Sequence, residues 1–296
     1  MSTRQKKGTI IVFGAHQDDI EIRAGGTVTK YAKMGYEVIY VIVIDSVYVS
    51  TKYKPVGKSF EDLSHEDILT IRNNESRKGA EVLGTSEPIF LHLKPSYYWT
   101  SKKITSWRVN FNDDDDELIE NMKKYKGKYF CLEASRIPDC VDEIAEFIRK
   151  YNPEIVLTQQ PNDFHLEHYA VSSLAFIACR KLVEEGMNLK LYAWEMGSCG
   201  RMVKFVPDVI IDITDNFSNK IKALKPFVSQ LGNDSEIHIK YAKASARYWG
   251  AKIGVKYAEP FSEMLIAGNT GGFYLDSNDF DYSSSFSGIE HVQTQF

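Results

Sequence analysis

The chain has 296 residues, of which 43% are hydrophobic and 26% charged, and a formal net charge of -4; this is ordinary globular composition with mass enough for a real core, and it lacks the basic footprint of a nucleic-acid binder. No apolar run approaches the roughly 18 residues of a membrane span, and the basic start MSTRQKK leads into an apolar stretch only one strand long, unlike a signal peptide. Four cysteines (Cys131, Cys140, Cys179 and Cys199) fall in no metal-like spacing, so a reducing, cytoplasmic setting is expected.

In chain order, TIIVF (9–13) is a β-branched run of the kind buried on both faces of a parallel sheet. AGGTVTKYAKMG (24–35) reads as a helix closed by Gly35, and YEVIYVIVID (36–45) as a second buried strand. This β-α-β unit implies parallel strands and a right-handed crossover. SHEDILTIRNNESRKGAEVLG (64–84) opens with Ser64 as N-cap and Asp67 three residues on, then keeps helical spacing. PIFLHL (88–93) is a third strand, IPDCVDEIAEFIRKYNPE (137–154) a helix with Pro138 in its first turn, and IVLTQQ (155–160) a fourth strand. A helix over 165–185 follows, then strands near 189–195 and 207–213 and helices near 217–230 and 236–250. The alternation predicts an α/β fold: a Rossmann-like, doubly wound, mostly parallel sheet with helices on both faces. One domain over 1–267 is expected, with a polar loop at 46–63 and an insertion at 94–136. That insertion holds Tyr97, Tyr98, Trp99, Trp107 and the run Asp113 to Asp116. Residues 268–296, rich in Gly, Ser, Asn and Asp, form a C-terminal tail or arm.

Two motifs carry chemistry. In VFGAHQDDIEI (12–22), His16, Asp18 and Asp19 follow the first strand directly; in PNDFHLEHYA (161–170), His165 and His168 share one face at the start of a helix after the fourth. An HxxH pair alone is usually surface or core histidine. In doubly wound sheets, however, ligands bind outside the carboxyl ends of the strands where strand order reverses, and this topology brings both motifs to that cleft. Two His and one carboxylate are the ligand set of a catalytic zinc site with an open position for water. Of the Asp18–Asp19 pair, one side chain can bind metal while the other turns toward the water as general base.

AHQDDIEI followed by AGGTVTKYAKMGYEV resembles the AHPDDxE motif of the PIG-L/LmbE-type zinc-dependent N-deacetylases, and DFHLEH resembles their HPDH motif. IRNNESRKGAEVLG and KIKALKPFVSQ fit the same pattern, over roughly residues 8 to 265 less the insertion. The resemblance implies one Zn2+ per chain, or another divalent transition metal, on His16, Asp19 and His168. It implies Asp18 as the general base that later protonates the leaving amine, and a protonated His165 as stabiliser of the oxyanion. Arg72 matches an arginine that contacts substrate in some members, and the implied reaction removes acetyl from a small N-acetylated amino sugar or its glycoside.

The sequence departs from the family pattern at Gln17 (usually proline), Arg23 (commonly glycine) and Glu167 (commonly aspartate); Asp163 stands where some members have an oxyanion-binding tyrosine. Glu21 is expected to cap or orient the loop behind the ligands. Asp163 is either a helix N-cap or a partner to a histidine, and Arg72 either meets substrate or pairs with Glu75 on a solvated helix face. His65, His92, His238 and His291 have no partner motif and are expected to be structural. The aromatic residues of the insertion either pack it onto the body or line the cleft. Further copies of the chain are the expected protein partner. A dinucleotide-binding Rossmann protein is disfavoured because GAHQDDIEIRAGG lacks GxGxxG and its acids would repel a pyrophosphate. A non-catalytic nucleotide- or sugar-binding protein that keeps the metal for structure is the remaining alternative.

Overall fold

The computed structural model describes residues 7–46, 49–50, 53, 55–57, 62–99, 104–106, 125–163, 165–195, 205–231 and 236–266. The tail at 268–296, Trp107, the run Asp113 to Asp116, Cys199 and His291 lie outside them.

β1 (Thr9–Gly14) is buried throughout, as its β-branched run requires. The single helix expected after it is two, α1 (Asp19–Arg23) and α2 (Gly25–Met34). The reason is local: Asp18 takes a left-handed conformation (φ 109°), which turns the chain out of the strand and starts a helix at once. Glycine is needed at 26, where a Cβ would stand 2.6 Å from the side chain of Ile213. Gly35, at φ 98°, closes α2.

β2 (Glu37–Ile44) then pairs in parallel with β1. α3 (His65–Leu83) opens on the expected Ser64–Asp67 capping box, and β3 (Ile89–Leu93) extends the sheet beyond β2. Within the insertion, β4 (Tyr97–Trp99) and β5 (Ile104–Ser106) form a separate antiparallel pair. α4 (Cys131–Ala134) and α5 (Pro138–Tyr151) precede β6 (Ile155–Gln159), and α6 (Leu166–Glu184) leads to β7 (Lys190–Trp194). β8 (Val209–Asp212), α7 (Phe217–Leu224), α8 (Val228–Leu231), α9 (Glu236–Lys252) and β9 (Ala258–Met264) complete the described chain.

The sheet runs β3-β2-β1-β6-β7-β9-β8, parallel through β7, with β9 antiparallel to both of its neighbours. β9 has no counterpart in the sequence reading, because AEPFSEM has a central proline and no β-branched run. Two apolar layers cover the faces: one includes Val28, Leu83 and Ala223 from α2, α3 and α7, the other Ala134, Ile144 and Leu174 from α4, α5 and α6. The chain moves outward from β1 through β2 to β3 and returns to place β6 on the other side of β1. The switch point therefore lies between β1 and β6, where both motifs emerge. No helix among the described residues is long and apolar enough to cross a membrane.

Candidate metal centre and active site

The loop after β1 is tied on both sides. Ile44 N–H donates to the Ala15 carbonyl at 3.1 Å, and His16 N–H donates to Asp19 Oδ2 at 2.8 Å. His16, Asp18, Asp19 and His168 are all buried, with relative exposures of 5 to 8%. His16 Nδ1 lies 3.1 Å from His168 Nε2 and 3.6 Å from Asp19 Oδ2; His168 Nε2 lies 3.4 Å from Asp19 Oδ1. Ligand atoms about 2.0–2.1 Å from a tetrahedral zinc stand about 3.3–3.4 Å from one another. Asp19 presents a different oxygen to each ring, and the two nitrogens and the carboxylate lie close to the separations such an ion requires. A second set, with His165 in place of Asp19, also brings its donor atoms within 4.8 Å of one another. The carboxylate set gives a dication a compensating negative charge.

Each imidazole in that set is braced from behind. Asp163 Oδ2 sits 2.6 Å from His168 Nδ1, and Asp163 Oδ1 accepts the His165 N–H at 2.9 Å. Of the two readings of Asp163, the geometry matches the partner to a histidine; the N-cap position belongs to His165. Glu167 Oε2 sits 2.5 Å from His16 Nε2, while its Oε1 accepts from the Ser96 N–H and, at 3.0 Å, from Ser96 Oγ. An acid on the far ring nitrogen fixes which nitrogen faces the metal. Sequence reasoning held Glu167 only as a departure and missed this placement; the available signal was an acid between the two histidines of HLEH. Ser96 also shows that the insertion reaches the centre.

The charges respond accordingly. Burial raises Asp19, but His168 and His16 outweigh it and hold the carboxyl well below the usual range. Burial likewise raises Glu167, and the His16 hydrogen bond and charge reverse this and hold it at about 2. Asp163 is lowered by His168 against its own burial. Burial lowers both the His16 and His168 imidazoles, yet the surrounding carboxylates raise His16 and bring His168 up to about 10. Asp18 is the exception among the acids: burial and the neighbouring Asp19 push it up to about 7. His165 stacks on His168 with ring centroids 4.4 Å apart. Burial, then the positive charge of His16 and His168, pushes it down to about 4. Both effects oppose the protonated His165 that the resemblance implies, and a metal in place of those protons would oppose it too.

Arg72 is not on a solvated face. It is 1% exposed, and donates to Ser46 Oγ (3.2 Å), Gln230 Oε1 (3.1 Å) and the Gln17 carbonyl (3.1 Å). Glu75 accepts instead from Ser229, through N–H at 2.8 Å and Oγ at 2.5 Å. Gln17 donates to Asn73 Oδ1 at 3.0 Å, so a hydrogen bond braces the loop where proline is usual. Glu21 is fully buried under Tyr40, whose hydroxyl is 3.0 and 3.1 Å from its two oxygens. Burial pushes Glu21 up to about 8. His92, expected to be structural, pairs with Asp45 at the ends of β3 and β2.

The family model for PIG-L, GlcNAc-PI de-N-acetylase, matches residues 11–179, more than half of the chain. The chain belongs to this family. It is similar to the diacetylchitobiose deacetylase of Thermococcus kodakarensis, 23% identical over 259 residues that cover 84% of this chain and 80% of that protein. The solved structure of N,N'-diacetylchitobiose deacetylase from Pyrococcus horikoshii, complexed with its inhibitor MPG, superposes with a TM-score of 0.59 at 21% identity, covering 87% of this chain and 84% of that one. GalB, the 4-carboxy-2-hydroxymuconate hydratase of Pseudomonas putida KT2440, does so with a TM-score of 0.60 at 19% identity, covering 87% and 96%. One fold thus carries deacetylases and a hydratase, and the reaction has to be argued from the residues of the site.

Proposed function

We propose that this PIG-L family member is a zinc-dependent hydrolase that removes the acetyl group from a small N-acetylated amino sugar or its glycoside. The observation that carries this reading is the convergence of His16 Nδ1, Asp19 and His168 Nε2 at 3.1 to 3.6 Å, with Asp18 alongside as a carboxyl poised at about 7. Bound zinc would supply Lewis-acid polarisation of the amide oxygen and lower the pKa of a coordinated water toward about 7.

The chain's own residues supply the proton handling. Ionised Asp18 takes a proton from the attacking water as oxygen adds to the amide carbon. It delivers that proton to the nitrogen as the C–N bond breaks, so acetic acid and the amine form with Asp18 ionised again, and the acid's proton passes to the amine, which leaves as ammonium beside acetate. A base whose pKa lies near the working pH suits both directions of transfer. Neutral His165 donates an N–H hydrogen bond to the oxygen that gains charge. Asp163 and Glu167 keep the ligand rings oriented throughout.

Bound metal is to be measured by elemental analysis, and acetate release on N-acetylglucosamine, N,N'-diacetylchitobiose and N-acetylated glycosides. The expected result is one zinc-like ion per chain and metal-dependent acetate release from at least one of these sugars. Stoichiometric metal without acetate from any of them would instead favour the non-catalytic alternative.

A further inference from the structure

Asp45 and His92 form a second imidazole–carboxylate pair that the mechanism does not use. The Asp45 side chain is 2% exposed, and its two oxygens stand 2.9 and 3.0 Å from His92 Nδ1. His92, by contrast, keeps 41% of its side chain exposed. An imidazole that donates through Nδ1 to a buried carboxylate must direct Nε2 away from it. The ring is therefore fixed in one tautomer with its free nitrogen outward.

The backbone is equally constrained. His92 lies in the left-handed region at φ 58°, although it belongs to a strand. Gly127 crosses its carbonyl so closely that a Cβ there would stand 1.6 Å from the oxygen. Burying a carboxylate to hold a half-exposed ring returns little stability, and a non-glycine residue at positive φ adds a local cost. A construction of this kind on a rim is explained by what the ring touches.

Position indicates what that is. Asp45 N–H donates to the Leu93 carbonyl at 3.0 Å, and the preceding Ile44 N–H to Ala15, next to His16. The pair thus stands at the carboxyl end of the sheet, on the same side as the metal ligands. β3 is two strands from β1, a lateral offset of roughly 10 Å. One pyranose ring holding its acetamide at the centre would not span that offset; the next unit of a glycoside would.

We propose that His92, oriented by Asp45, is a specificity-determining residue whose outward Nε2 hydrogen-bonds the sugar unit beyond the ring that carries the acetamide. This rests on the deacetylase reading above. Asp45 acts through His92 and is a positioning residue. The hydrogen bond that His92 Nδ1–H donates to Asp45 also raises the His92 pKa.

The test compares wild type, His92→Ala, His92→Asn and Asp45→Asn on N-acetylglucosamine and N,N'-diacetylchitobiose, with thermal melting alongside. Asparagine accepts the left-handed backbone that strains alanine. Both His92 variants are expected to raise KM for the disaccharide about tenfold or more, with kcat and all monosaccharide parameters within about twofold, and Asp45→Asn to fall between them and wild type. Equal changes on both sugars, or unchanged KM with a lowered Tm in His92→Asn, would mark the pair as a structural clip and overturn the proposal. A wild type that releases acetate from neither sugar would overturn the functional reading together with it; an active wild type with unmoved variants overturns the inference alone.

Discussion

Two buried charged regions flank the same loop, and they are built differently. On the β6 side, His16 and His168 have their outer ring nitrogens braced by Glu167 and Asp163, while their inner nitrogens face each other and Asp19 at 3.1 to 3.6 Å. On the α3 side, Arg72, Glu75 and Gln17 direct their polar atoms to Ser46, Gln230, Ser229 and Asn73. The first region leaves donors pointing at a common centre; the second is a lattice that holds the loop to α3 and α8. Burial and charge alone do not separate chemistry from scaffolding. What separates them is where the side chains point: toward a shared centre in the first region, outward to neighbouring side chains and backbone in the second.

The sharpest break between the regions is expected from Asp18→Asn set beside His168→Ala. Asp18→Asn keeps the ligand set and should lose about 10²- to 10⁴-fold in kcat with metal content unchanged. His168→Ala should lose the metal itself, and activity with it. Elemental analysis with steady-state acetate release checks both. Near-normal turnover in metal-loaded Asp18→Asn would transfer the base role to another acid.

Arg72→Ala tests the opposite region. It would leave the Gln17 carbonyl and the side-chain oxygens of Ser46 and Gln230 without their donor, and Glu75 with less compensating charge. Removing one member of such a buried charged network costs about 3–5 kcal/mol. Denaturant unfolding should show that loss, while metal bound per folded molecule stays at the wild-type level. A variant of normal stability with a raised KM would make Arg72 a substrate contact, the role its family resemblance implies.

Glu167→Gln sharpens the comparison from the metal side. The amide keeps the shape but removes the negative charge behind His16. Replacing a group of this kind typically weakens metal binding about 10- to 100-fold, to be read by competition with a chelator. The loss should shrink as pH falls, because Glu167 is one of the groups that raises His16 and so strengthens proton competition in the wild type. His16 and His168 both have raised proton affinities, and metal must displace those protons to bind.

Much of this was legible in the sequence because local rules and chain topology agree. The β-branched runs of β1 and β2, the Ser64–Asp67 box and Pro138 fix their elements through the backbone, and strand order then carries His16 and His168 to one cleft. What stayed hidden depends on atoms brought together late. β9 is held by pairing on both sides and not by its own residues, and Glu167 gains its meaning only when α6 docks beside the β1 loop. The Asp45–His92 pair joins the ends of two strands across a loop and an α-helix that leave no spacing to read. Of the two readings of Arg72, the solvated face fails because α3 alone does not reveal that α8 closes over it.

The smallest expected effect concerns Glu21, a charged group that belongs to neither region. Its pKa of about 8 in the folded protein, against about 4.5 when exposed, means that the folded state keeps a proton which the unfolded chain has lost between those values. Stability must therefore fall as pH rises through that window, by a few kcal/mol in all. Asp18, raised to about 7, adds a slope of the same sign that ends one unit lower. Glu21→Gln cannot ionise. Its hydrogen bonding to Tyr40 changes by an amount that does not depend on pH below the tyrosine range, so it shifts the whole curve without tilting it. Unfolding free energies of the chelator-treated protein from pH 5 to 8 should thus decline less steeply in Glu21→Gln than in wild type, and less steeply again when Asp18→Asn is added. Parallel curves for wild type and Glu21→Gln would show that Glu21 is ionised in the folded state. Tyr40 would then be donating to a true carboxylate beneath the ligand loop.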